Sequence, residues 1–181
     1  MITILQLFLF IQIVLIGSIE CKKEVKFLSV SVNPNTKFLE FCDASITPDS
    51  NGHSLDLKTR LLAPIQKDIH VRLDFFMKSK QDSEYKEFFA YDFDVCKLMD
   101  DFMSQTLARL WMENMVKYTN IPFKCPVAEG EYYIKKLVID EKSLPMVAVS
   151  GIYMVKILTY VKEATPENTL ASTTLEVEVK V

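Results

Sequence analysis

Most of this chain alternates apolar and polar side chains with period two, which restricts it to β-strands that bury one face. Ile69-His70-Val71-Arg72-Leu73-Asp74-Phe75 shows it most cleanly, with Ile69, Val71, Leu73 and Phe75 on one side and the polar groups on the other. Strand-like runs also cover Val25 to Val32, Lys37 to Ser45, Ser54 to Leu62 and Tyr85 to Phe93. Three more follow, from Glu131 to Ile139, Ile152 to Val161 and Leu170 to Val181. Between them stand Asn33-Pro34-Asn35, Pro48 to Gly52, Asp140-Glu141-Lys142 with Pro145, and Pro166-Glu167-Asn168. Such residues favour turns through fixed proline geometry or tolerance of positive φ. Asn51-Gly52 signals a two-residue turn, while Pro48 argues for a longer loop there.

One segment changes period. Val95, Leu98, Met99, Phe102, Met103, Leu107, Leu110, Trp111 and Met115 recur at spacings of three and four, the pattern of an amphipathic helix. Asp94 is placed to cap its start, Lys117 lies near its end, and Pro122 and Pro126 stop it going further. Met112 and Val116 fall off the apolar stripe and face solvent or a partner. Eight short strands and one helix predict a mainly β, immunoglobulin-like sandwich, with the helix between strands five and six over an open side or end.

The segment Met1 to Ile19 carries no charged side chain, and Gly17-Ser18 gives it a small-residue end. It reads as a signal peptide over 1–18, cut after Ser18, with an uncleaved single-span anchor as the alternative. Residues 19–181 then form a single secreted, extracellular domain, long enough to bury a real core and, after cleavage, without stable membrane insertion. Four cysteines, Cys21, Cys42, Cys96 and Cys125, follow this leader, an even count expected to form two disulfides. Four cysteines allow three connectivities, and the sequence does not choose among them. Zinc is not expected, because no cysteines have C-x-x-C spacing and the chain has 2 His. With a net charge of -3 and no long basic cluster, nucleic acid is not an expected partner.

No catalytic constellation stands out. His53 falls in a turn and His70 on a polar strand face, and there is neither a G-x-S-x-G elbow nor a glycine-rich phosphate loop. The acid pairs Asp100-Asp101 and Asp92/Asp94 suit a solvated helix face and a helix cap. No enzymatic activity and no cofactor are expected. The aromatic residues say more. Large apolar groups crowd the middle and later strands, and Ile152 to Val161 is apolar on both faces. A packed core accounts for such a surplus, and so does a lined cavity. If a cavity exists, Leu73, Phe75, Phe89, Tyr91, Tyr133 and Tyr153 are its expected strand walls, with Phe102 and Trp111 from the helix.

Asp94-Val95-Cys96-Lys97-Leu98-Met99, Tyr118-Thr119-Asn120, Cys125-Pro126, Tyr132-Tyr133, Leu144-Pro145 and Gly151-Ile152-Tyr153 occur in a familiar order. In this the chain resembles the insect secreted family known as domain of unknown function 1091, itself similar to the ML-type lipid-recognition sandwiches. The resemblance runs from Cys21 to the end, on motifs that are specific as an ordered set rather than singly. Pro48 to His53 is a longer loop than the family pattern, and Asn168 to Ser172 is unusually polar. The resemblance implies pairing of Cys96 with Cys125 and of Cys21 with Cys42. It also implies a non-enzymatic binder of a lipid or other small hydrophobic molecule in a chemosensory or extracellular signalling setting. The alternative is an extracellular interaction module with a filled core, a receptor co-factor without a ligand.

Overall fold

The computed structural model describes residues 24–49, 52–66, 68–79, 83–100, 113–122, 124–139 and 149–181. Its strands are β1 (Glu24–Pro34), β2 (Leu39–Asp49), β3 (Gly52–Leu61), β4 (Ile69–Lys78), β5 (Lys86–Asp94), β6 (Gly130–Leu137), β7 (Gly151–Val161) and β8 (Thr169–Lys180). All eight alternating runs of the sequence are strands. They form two antiparallel sheets, one of five strands in the order β1-β8-β7-β4-β5 and one of three in the order β2-β3-β6.

Helix α1 (Val95–Asp100) follows β5 directly. Asp94 caps it as the sequence predicts: its Oδ1 accepts the backbone N–H of Lys97 at 3.1 Å, filling one of the donors that a helix start leaves open. Residues 113–115 are again helical and run into a 3-10 turn, Val116–Tyr118, which ends as Thr119 turns extended. The middle of the predicted helix, with Phe102, Trp111 and Met112, lies outside the described residues.

Alternation decides which side chains meet. In the large sheet, Phe27 pairs with Val177, Tyr153 with Val177 and with Met77, and Val155 with Leu175 and with Phe75. Residues directly opposite in an antiparallel pair share a face, so these all point the same way. On that side lies the larger core cluster, where Val25, Phe27, Tyr153, Leu175, Val177 and Val179 meet Leu55, Ile134 and Leu137 of the small sheet. Phe27, only 2% exposed, is at its centre. A second cluster of Leu39, Leu61 and Ala171 gathers Val32, Cys42, Ile65 and Tyr132. The two sheets therefore share a core, and β1 runs close to β2 and β3 along one side.

On the other face of the large sheet β7 is apolar too, with Ile152, Met154 and Leu158, while its neighbours β4 and β8 present mainly polar side chains, and rings there are covered by side chains lying on them. The His70 ring stacks on Tyr160 at 5.2 Å, the Lys156 ammonium sits 4.9 Å above Phe76, and Lys78 sits 4.4 Å above Tyr85. The Tyr85 hydroxyl donates to Glu176, which also accepts from Ser29 at 3.2 Å. Aliphatic stems and stacked rings keep water off the aromatic faces while the charged ends stay wet.

The β2–β3 connection differs from expectation. Pairing continues through Pro48↔His53 to Asp49↔Gly52, so the hairpin is tight where the sequence argued for a longer loop, and Gly52 is already in the strand. Pro48 is tolerated because β2 is an edge strand, where a missing N–H costs no ladder bond. Gly151 opens β7 where a Cβ would come 3.1 Å from the Lys78 carbonyl, a close approach that suits glycine.

Candidate ligand-binding site

The β4–β5 pair carries the aromatic residues singled out in the sequence. Leu73 pairs with Tyr91 and Phe75 with Phe89, so these four side chains share one face. It is the core-side face, because Leu73 and Phe75 also pair with Ile157 and Val155 on β7. Leu73 is buried, and the rings of Phe75 and Phe89 stack with centroids 4.2 Å apart. Tyr91 and Phe93 form a tilted pair at 5.6 Å.

Tyr153 belongs to this set through a residue the sequence reading passed over. Register shifts between Phe75 and Phe76, leaving Phe88 as an extra residue on β5. Its ring meets Phe89 edge-on at 5.4 Å and Tyr153 at 6.5 Å, joining the β4–β5 aromatics to the core. Two consecutive phenylalanines in an otherwise alternating strand were the signal available, since strict alternation would send them to opposite faces. The buried Tyr153 hydroxyl donates to the Val149 carbonyl at 2.9 Å, which satisfies its one polar atom.

The wall is incomplete on one side. Phe88 is 51% exposed and Tyr91 41%. The small sheet has three strands against five, and the large core cluster draws on β1, β8 and β7 but takes only Met77 from the β4–β5 pair. An apolar, core-side strip therefore extends past the packed core along β5.

Of the eight predicted wall residues, the structure brings Leu73, Phe75, Phe89, Tyr91 and Tyr153 onto one face, while Phe102 and Trp111 lie outside the described residues. Tyr133 is elsewhere. It pairs with Lys58, one step out of phase with the buried Ile134, so it points away from the core. The neighbouring Tyr132 packs against the second cluster instead. Tyr133 helps line a shallow groove of about 400 Å³ on the outer face of the small sheet, among Asp43, Ser45, Asp56, Lys58, Glu131 and Lys135. This groove is charged: Lys58 and Glu131 form an ion pair at 3.2 Å, and Lys135 sits 4.1 Å above the Tyr133 ring. Tyr133 is the one aromatic residue of its lining.

The segment joining β5 to β6 is anchored at both ends. Cys96 in α1 and Cys125 form a disulfide, the pairing that the resemblance implied, and the Cys125–Pro126 peptide is cis. Thr119 and Asn120 dock on the edge of β6: Thr119 Oγ1 donates to the Tyr133 carbonyl at 2.6 Å, and Asn120 Oδ1 accepts the Tyr133 N–H at 2.7 Å. These bonds occupy edge groups that would otherwise be free to pair with another strand. Cys42 is half-buried and has no disulfide partner among the described residues. Burial pushes its pKa up, a hydrogen bond with Thr59 opposes this, and Asp43 adds to the rise. Cys21, its expected partner, lies outside the described residues.

Two antiparallel sheets sharing a core, with a disulfide-anchored crossover and an aromatic wall beside it, define a small, mainly β protein. Residues 71–155 match the family model described as "Protein of unknown function (DUF1091)", so over this segment the chain is similar to that family. The matched segment contains most of β4, β5, both ends of the crossover, β6 and the first half of β7, and so includes the aromatic wall and the disulfide. No curated protein matches the chain.

Proposed function

We propose that the protein is a secreted, non-enzymatic carrier of a lipid or other small hydrophobic ligand. In this reading the two sheets form an ML-type, immunoglobulin-like sandwich and the ligand lies against its aromatic side, in a chemosensory or extracellular signalling setting. The observation that carries the reading is the strip of Phe88, Phe89 and Tyr91 on the core-side face of β5, apolar and only partly covered. Surface of this kind gains about 25 cal/mol for each Å² a ligand removes from water. Small-molecule sites are lined mainly by hydrophobic and aromatic side chains, and this strip supplies side chains of that kind. The disulfide is compatible with export to an oxidising compartment.

Native mass spectrometry of protein secreted from a eukaryotic host tests the proposal. Co-purifying lipid, or saturable uptake of a fluorescent lipid probe at micromolar concentration, is the expected result. If the protein is folded and takes up neither, the carrier reading fails.

The second reading is an extracellular interaction module, a receptor co-factor with no ligand. The observation in its favour is Val116, 48% exposed in the 3-10 turn after the helix. A Val116→Asp variant that loses binding to an extracellular receptor but keeps lipid uptake would favour it.

A further inference from the structure

We propose that Asn114 is the polar anchor of this site, and that the ligand is a neutral amphiphile ending in a hydrogen-bond donor, such as a long-chain or polycyclic alcohol. The inference rests on the carrier reading and narrows it. Asn114 lies in the helical stretch 113–115 and is only 5% exposed. Its Nδ2 donates to the Val138 carbonyl just beyond β6 at 3.0 Å. That bond fixes which corner of the amide is oxygen, since only the NH₂ group can donate to a carbonyl. The remaining corner, Oδ1, is shut off from solvent and has no hydrogen-bond partner among the described residues. Buried polar atoms nearly always have a hydrogen-bond partner, so this oxygen is an acceptor with capacity for a donor.

The surroundings indicate what would supply that donor. Met115, Tyr118 and Ile139, beside Asn114 and Val138 in the chain, pack on the large core cluster with Leu137 and Tyr153. Tyr153 is the residue on which Phe88 closes. The acceptor thus stands beside residues that pack on the cluster to which Tyr153 belongs, a polar point against apolar surroundings. A hydroxyl would give Oδ1 its missing hydrogen bond while its hydrocarbon part lies along the aromatic residues. A carboxylate would instead set anionic oxygens against an amide oxygen, negative against partly negative. An ester, an ether or a bare hydrocarbon would leave the oxygen unpaired.

The test is competition of dodecanol, its methyl ether, dodecane and dodecanoate against a bound anilinonaphthalene dye, with delipidated full-length secreted protein. Dodecanol should bind roughly tenfold more tightly than the ether, the scale of one buried hydrogen bond. In Asn114→Leu the alcohol-to-ether ratio should fall to about one while ether binding is retained. Equal affinity for alcohol and ether in the wild type, or a preference that survives Asn114→Leu, would overturn the inference and leave the carrier reading intact. If none of the four displaces the dye and no lipid co-purifies, the carrier reading falls and the inference with it. Should Asn114→Leu not fold, the wild-type alcohol-to-ether ratio decides alone.

Discussion

Phe75 and Phe89 stack at 4.2 Å across the β4–β5 pair, and Phe75 also pairs with the buried Val155 on β7. The ring pair thus links the packed core to the partly exposed edge strand. Phe89→Asp places a charge in the strip where the proposed ligand lies, and hydrophobic-probe binding should weaken by roughly tenfold or more. Tyr133→Asp, on the opposite face of the small sheet, should leave it unchanged. Dye titration of both variants, with circular dichroism to establish folding, measures the contrast. Equal effects would mean that binding does not use the aromatic wall.

The Cys96–Cys125 bridge spans 29 residues of sequence around the helical segment. Replacing both cysteines by alanine should lower stability by about 3 kcal/mol, the usual scale for a loop of this length. Urea unfolding of the double variant under non-reducing conditions gives the value. A loss below about 1 kcal/mol would show that the crossover is held mainly by packing and by the Thr119 and Asn120 bonds to β6.

Asp94 couples the helix start to pH. Burial works to raise its carboxyl pKa, but the backbone N–H and ammonium of Lys97, with His70 nearby, hold it below the usual value. A lowered folded pKa means the contribution is complete above the unfolded carboxylate pKa and is lost as pH falls through the folded one. Asp94→Ala should cost about 1 kcal/mol at neutral pH, whereas Asp94→Asn keeps a neutral cap and loses less. Stability measured between neutral and acidic pH should show a shallower acid limb for Asp94→Asn than for the wild type.

The Tyr160 hydroxyl donates to Asp92 at 2.8 Å beneath the stacked His70 ring. Burial, then the bond to Asp92 and its charge, raise the phenol pKa, and Tyr85 is raised in the same way by burial and Glu176. The sign is opposite to that of Asp94: this stabilisation is present below the unfolded phenol pKa and is lost as pH rises through the folded one. Tyr160→Phe should cost about 1 kcal/mol at neutral pH. It should also remove one late step from the alkaline phenolate titration followed by ultraviolet absorbance.

Phe27→Ala tests the shared core. Phe27, at 2% exposure, packs in the cluster that also holds Leu55 and Ile134 of the other sheet. A loss of about 3 to 5 kcal/mol is expected from denaturant unfolding, the range for emptying a large buried aromatic site. A loss near that of a surface substitution would mean the sheets do not depend on this contact.

By itself, the sequence determined the eight strands, the capped start of the helix and the alternation that puts Leu73, Phe75, Phe89 and Tyr91 on one face. All of these follow from local rules, because a strand repeats every two residues and a cap acts within one turn. Tertiary structure decided the rest. Tyr133 and Tyr132 look interchangeable in the sequence, and only pairing with Lys58 and Thr59 on β3 set which one faces out. Phe88 entered the wall through a bulge that needs β4 as its reference. Asn114 reads as an ordinary polar helix residue until the far end of β6 takes its amide hydrogen and leaves its oxygen buried. Register, sheet order and the satisfaction of buried polar atoms depend on segments far apart in the chain, which no local period can encode.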